Sequence, residues 1–98
     1  MMYTKLHRGS SCILAICDEG LIGKTFEEEG LFLEISEDFY KGEKKTKEEV
    51  FEMLKDGNIK NFNIVGKESI SVALKAGIIE KENILRIGGV PHAQSLLL

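Results

Sequence analysis

The chain has 98 residues, 43% hydrophobic and 30% charged, with 13 basic against 16 acidic side chains, a net charge of −3 and a pI near 5.4. That length suits one domain, and the apolar content is too high for a disordered chain. The acidic balance excludes an overall positive field for nucleic acid or an anionic membrane, so contact with either needs a local basic patch.

At the start of the chain, residues 3–8 and 12–17 read as two strands of a hairpin joined by Gly9, Ser10 and Ser11. The second is apolar on both faces and is expected to be central, whereas the first is mixed and nearer an edge. Cys12 and Cys17 lie five residues apart on that second strand, which puts them on opposite faces and about 17 Å apart. They are therefore expected neither to bridge nor to share a metal, but to be two buried thiols in a reducing compartment. No charged start is followed by an apolar core, so no leader is expected, and no apolar run nears the roughly 20 residues that span a bilayer, the closing Leu96-Leu97-Leu98 included. A cytoplasmic protein without membrane contact is expected.

Asp18, Gly20 and Gly23 make the turn after the second strand, with Leu21 and Ile22 packing inward. Gly23-Lys24-Thr25 imitates the end of a phosphate-binding P-loop, yet the position of that motif's first glycine holds Asp18, whose charge opposes a phosphate. Glu27-Glu28-Glu29 reads as a solvated loop rather than a site for a hard metal. Residues 31–36 alternate as a third, half-buried strand with Leu31, Leu33 and Ile35 on one side. The polar stretch 37–47, with Lys41, Lys44, Lys45 and Lys47, reads as a solvated loop or, more sharply, as a basic contact surface.

Thr46 and Glu49 form a capping box opening a helix over 47–56, with Val50, Phe51, Leu54 and Met53 on its apolar side and Gly57 at its end. A fourth strand at 61–65, a helix over 67–76 ending in a Schellman motif at Gly77-Ile78, and a fifth strand at 84–87 follow. Strand, helix and strand over 61–87 give the βαβ pattern with parallel strands. The expected class is α/β, with α+β open: residues 1–98 as one domain, a mixed sheet of about five strands and two helices, with a hairpin at the start and a βαβ unit at the end.

In a parallel unit, the ends of the strands at 61–65 and 84–87 share the sheet edge that ligands of open α/β sheets favour. Gly66-Lys67 at a helix start and the segment Gly88-Gly89-Val90-Pro91-His92-Ala93-Gln94 would then converge there. Gly66, Lys67, Gly88, Gly89, His92 and Gln94 are accordingly candidates for holding a phosphate or carboxylate, Lys67 as fixed charge and His92 as donor or base; the plain alternative is a structural corner. Tyr3, Lys5 and His7 share one strand face and, with Lys44 and Lys45, form a second candidate surface, for RNA; its plain alternative is a solvated edge.

Lys5-x-His7, Cys17-Asp18 leading to Leu21-Ile22-Gly23-Lys24-Thr25-Phe26, Phe39-Tyr40, Ile64-Val65-Gly66 and above all Gly89-Val90-Pro91-His92-Ala93-Gln94 resemble an archaeal family, the domain of unknown function numbered four hundred and twenty-four. The likeness runs from Tyr3 to Gln94 and is most specific in its closing motif. It implies an archaeal, single-domain, cytoplasmic protein and brings no activity, cofactor or catalytic residue with it. Three functions are compatible with the whole: a small binding or accessory protein for RNA or a translation-related complex; a binder or enzyme for an anionic small ligand; and a homodimer that pairs through an edge strand or its terminal leucines. An enzyme is the less expected, and neither cofactor nor metal is expected.

Overall fold

In the computed structural model, which describes residues 1–9 and 12–95, the strands are β1 (Met2–His7), β2 (Ile13–Asp18), β3 (Thr25–Glu28), β4 (Leu31–Glu34), β5 (Glu43–Lys45), β6 (Asn61–Val65), β7 (Leu85–Ile87) and β8 (Val90–Ser95). The helices are α1 (Glu37–Tyr40), α2 (Lys47–Lys55) and α3 (Lys67–Ala76). Six strands form one mixed sheet in the order β5-β1-β2-β6-β8-β7, and β3 pairs with β4 as a separate ribbon. The fold is α+β.

The doubly apolar β2 is central because both of its faces are covered. Leu14 and Ile16 point to a core shared with Val50 and Leu54 of α2 and Ile70 and Ala73 of α3. Ala15 and Cys17 point the other way, into a second core with Leu33 and Ile35 of the β4 segment and Tyr40 of α1. The molecule is thus three layers, helices on one side and ribbon with α1 on the other. Burying each of these larger side chains contributes on the order of 2 kcal/mol.

Most local expectations are met. β1 and β2 pair antiparallel, and Thr46 with Glu49 closes the capping box of α2. Gly77 is left-handed, with its own N–H donating to Leu74 and that of Ile78 to Ala73, the two bonds of a Schellman ending. Five expectations are corrected. Residues 37–47 are not one loop but hold α1 and β5 and reach the first residue of α2, for Ser36 accepts from the Phe39 N–H and starts a turn that buries Tyr40. Glu27 and Glu28 lie on β3, paired with Phe32 and Leu31 across a turn in which both Glu29 and Gly30 have positive φ. Cys12 is exposed just ahead of β2, while Cys17 is buried, and both thiols are free. Leu31 and Phe32 at the ribbon's tip stand 49% and 68% exposed, so the half-buried strand of 31–36 is buried only from Leu33 onward.

The fifth correction concerns the glycine pair. Gly88 and Gly89 have φ of 58° and 81°, the requirement of a two-residue hairpin turn, and the chain returns antiparallel as β8. β8 inserts between β6 and β7, pairing antiparallel with each. β6 and β7 therefore run parallel, as the βαβ pattern predicts, but they are not neighbours. Both edges, β5 with Glu43, Lys44 and Lys45 and β7 with Arg86, are three residues long and charged, which discourages edge-to-edge pairing. Residues 96–98 lie outside the described residues.

The start of α3 is fixed by Asp18 at the end of β2. Its carboxylate accepts from the Glu68 N–H at 3.1 Å, the Ser69 N–H at 2.8 Å and the Ser69 hydroxyl at 2.7 Å. Gly66 makes room for it: with φ 106°, a side chain there would be strained, and a Cβ would run into the Asp18 carboxylate. Asp18→Ala is expected to lower the unfolding free energy by about 2 kcal/mol, since it strands two helix donors. Gly66→Ala should cost less in the Asp18→Ala background than alone, because the clash partner is gone. Urea unfolding of the two single variants and the double variant measures this, and strictly additive losses would exclude the shared constraint.

Candidate functional site

Side chains alternate across β7 and β8, so neighbours in sequence serve opposite faces of the sheet. On the helix side, Arg86 of β7 and Pro91 of β8 join Lys67, Ile70, Ser71 and Leu74 of α3, with Lys81 and Ile84 from the connection, around a cleft of about 540 Å³. Its cationic lining is Lys67, Lys81 and Arg86, none of which is held by an ion pair among the described residues, and no acidic side chain lines it. Ile70, Leu74, Ile84 and Pro91 supply an apolar side. The volume lies in the range of small-ligand sites.

On the opposite face, His92 and Gln94 of β8 meet Asn83 and Leu85 around a shallower hollow of about 260 Å³. Behind it runs a hydrogen-bonded relay: the Tyr40 hydroxyl donates to Asn63 Oδ1 at 2.7 Å, and His92 Nε2 lies 3.0 Å from the same oxygen. Burial pushes the Tyr40 hydroxyl up to about 12, with a further contribution from Cys17, so it remains a donor. Burial also pushes the Cys17 thiol up to about 12, followed by the charge of Asp18, so this buried cysteine is not an activated nucleophile. His92 is held below its usual pKa by burial.

The single pocket expected from sequence is therefore divided. Gly66 and His92 are close, since Val65 is the register partner of His92 and the Gly66 N–H donates to Pro91 at 2.9 Å. Yet His92 and Gln94 face away from α3, and the amides of Glu68 and Ser69 that would have met an anion at the helix start already bind Asp18. Lys67 stays with the helix-side cleft. Gly88 has its N–H on Glu28 Oε1 at 2.9 Å, and a Cβ there would press on Phe26, so Gly88 and Gly89 shape the hairpin. Lys81, Arg86, Asn63 and Asn83 are not among the residues the sequence singles out, and Tyr40 is singled out only through the family resemblance. The alternation of residues 84–87 was a usable signal for Arg86; Tyr40 and Asn63 meet only through α1, which the sequence hides.

The second candidate surface is engaged internally. Tyr3, Lys5 and His7 share a face, as expected, but α1 packs on it: His7 stacks on Phe39 at 4.4 Å and reaches the Phe39 carbonyl at 2.8 Å, and Lys5 donates to the Asp38 carbonyl. Lys44 pairs with Glu19 at 2.7 Å and lies over the Tyr3 ring, and Lys45 meets Glu43 at 3.4 Å. These surface pairs add little stability, but they leave the lysines less available. Among the described residues no group of three or more His, Cys, Asp and Glu is placed to hold a metal, and no helix is long and apolar enough to cross a membrane.

A family model described as a protein of unknown function, DUF424, matches residues 7–98. Among solved structures, the chain is similar to an uncharacterised conserved protein from Methanopyrus kandleri, with 31% identity, a TM-score of 0.81, and coverage of 95% of this chain and 88% of that one. No curated protein matches.

Because folding lowers the pKa of His92, the unfolded chain binds more protons between that lowered value and about 6.5. Its contribution is therefore fully present above about pH 7 and is lost as pH falls through this window. Stability measured from pH 7.5 downward should decline less steeply in His92→Gln than in the wild type, and equal slopes would exclude the assignment.

Proposed function

We propose, on the premise that this chain belongs to the DUF424 family, that it is a small binding module whose ligand is an anion seated in the helix-side cleft. The observation that carries this reading is charge segregation. In a chain of net charge −3, three cations from three separate segments line one hollow with no acid among them. Like charges so grouped repel one another, and an arriving phosphate or carboxylate relieves that repulsion. Ser71 offers a hydroxyl beside the charges, and the apolar side suits a ligand with a hydrophobic or planar body. The lining has no activated nucleophile and no paired acid and base, so binding rather than catalysis is supported. Residence in a reducing cytoplasm fits the two free thiols.

An RNA or translation-related partner would use the same cations for backbone phosphates. The cleft's limited size and its apolar side favour the small ligand, and the surface of Tyr3, Lys5 and His7 lends RNA less support because α1 occupies it. Phenyl phosphate, inorganic phosphate and a short oligoribonucleotide separate the two. Phenyl phosphate is expected to bind with a Kd on the order of 1 mM or tighter and inorganic phosphate more weakly. Lys81→Ala and Arg86→Ala should each weaken phenyl phosphate binding by about fivefold. Tight binding of the oligoribonucleotide alone, falling steeply with salt, would assign the cleft to RNA instead.

A further inference from the structure

We infer that the hollow around His92 on the opposite face of the sheet is a second binding site, for a neutral planar group that presents an N–H donor beside a C=O acceptor, the edge that uracil and hypoxanthine share with carboxamides. The fold has already committed several of the hydrogen-bonding atoms around this hollow. Asn63 Oδ1 accepts from the Tyr40 hydroxyl, so it meets His92 as an acceptor, and the proton between them belongs to His92 Nε2. The ring is thereby fixed as the Nε2–H tautomer, and Nδ1 is left as a lone-pair acceptor. Asn83 gives its Oδ1 to the Glu80 N–H at 2.8 Å, which leaves its NH₂ as a donor. Gln94, exposed beside them, supplies both a donor and an acceptor.

These groups surround an apolar surface, Leu85, which is 49% exposed. The elements packed around His92 bring no charge to it: Tyr40 from α1, Asn63 and Val65 from β6, Leu85 from β7 and Asn83 from the connection are all neutral. An uncharged hollow with one fixed acceptor, adjustable amides and an apolar wall matches a neutral planar edge, and it offers a phosphate no positive charge. It thus complements the cationic cleft across the sheet. Burial, which keeps the ring neutral at physiological pH, preserves the Nδ1 acceptor.

Nitrogen-15 NMR of the histidine ring tests the first step. The Nε2 of His92 is expected to carry the proton and Nδ1 none, and the reverse tautomer overturns the inference. Titration with uridine, inosine and nicotinamide at pH 7.5 then tests the second. At least one should shift the Nδ1 resonance and the Gln94 side-chain amide, with a Kd on the order of 1 mM. A response to nucleosides alone identifies a base edge, one to nicotinamide alone a carboxamide, and no response to any of the three overturns the site. Gln94→Ala, an exposed change that leaves the core intact, should weaken the effective probe about fivefold, as should His92→Phe. Arg86→Ala should leave it unchanged, so failure here is distinguishable from failure of the anion cleft.

Discussion

The carboxylate of Asp18 at the start of α3 is the contact on which the rest of the molecule depends. It joins the end of the central strand to the start of the helix that covers it, across 51 residues of sequence to Ser69. A helix N-terminus carries unsatisfied N–H groups and a partial positive charge, and a glycine turn after a strand offers both to a ligand in many α/β proteins. Here the protein fills that place itself. Gly66 has no side chain because the carboxylate stands where a Cβ would be. One local arrangement therefore fixes the helix, demands the glycine, and moves anion binding away from the helix start toward Lys67, Lys81 and Arg86.

Where one layer of interaction decided the structure, the sequence was legible. The capping box of Thr46 and Glu49, the Schellman bonds at Gly77 and the two apolar faces of β2 follow from spacing and local chemistry alone. Asp18 was legible as hostile to a phosphate, but not as the cap of a helix half a chain away. α1 was hidden because Glu37, Asp38 and Lys41 look solvated, and they are; only Phe39 and Tyr40 turn inward, too few for a periodic signal. Identity of the binding atoms failed for the same reason, since Tyr40, Asn63 and His92 come from three elements and share one oxygen.

Pro91 explains why residues 90–95 do not read as a strand in the sequence. A proline cannot donate to a ladder and argues against an interior strand. In an antiparallel strand the N–H and C=O of one residue point to the same neighbour, and for Pro91 that neighbour is Gly66, whose N–H it accepts. The Gly66 carbonyl, which a donor at position 91 would have sought, already accepts from Ile70 in the first turn of α3. No ladder bond is lost. The helix start thus makes an internal proline tolerable.

The same strand pair divides the chemistry. Because side chains alternate, Arg86 and Pro91 face the cationic cleft while Leu85 and His92 face the neutral hollow, and the segment 81–83 repeats the division with Lys81 and Asn83. A shift of β7 by one residue would exchange the two sets and destroy both environments. β7 is a three-residue edge strand that, among the described residues, pairs only with β8, so its register needs support from elsewhere. The two positive-φ glycines set the turn, Glu28 of β3 holds the Gly88 amide, and Phe26 packs beneath it. The small β3–β4 ribbon, the least conspicuous part of the sequence, is therefore what holds charge on one side of the edge strand and neutrality on the other.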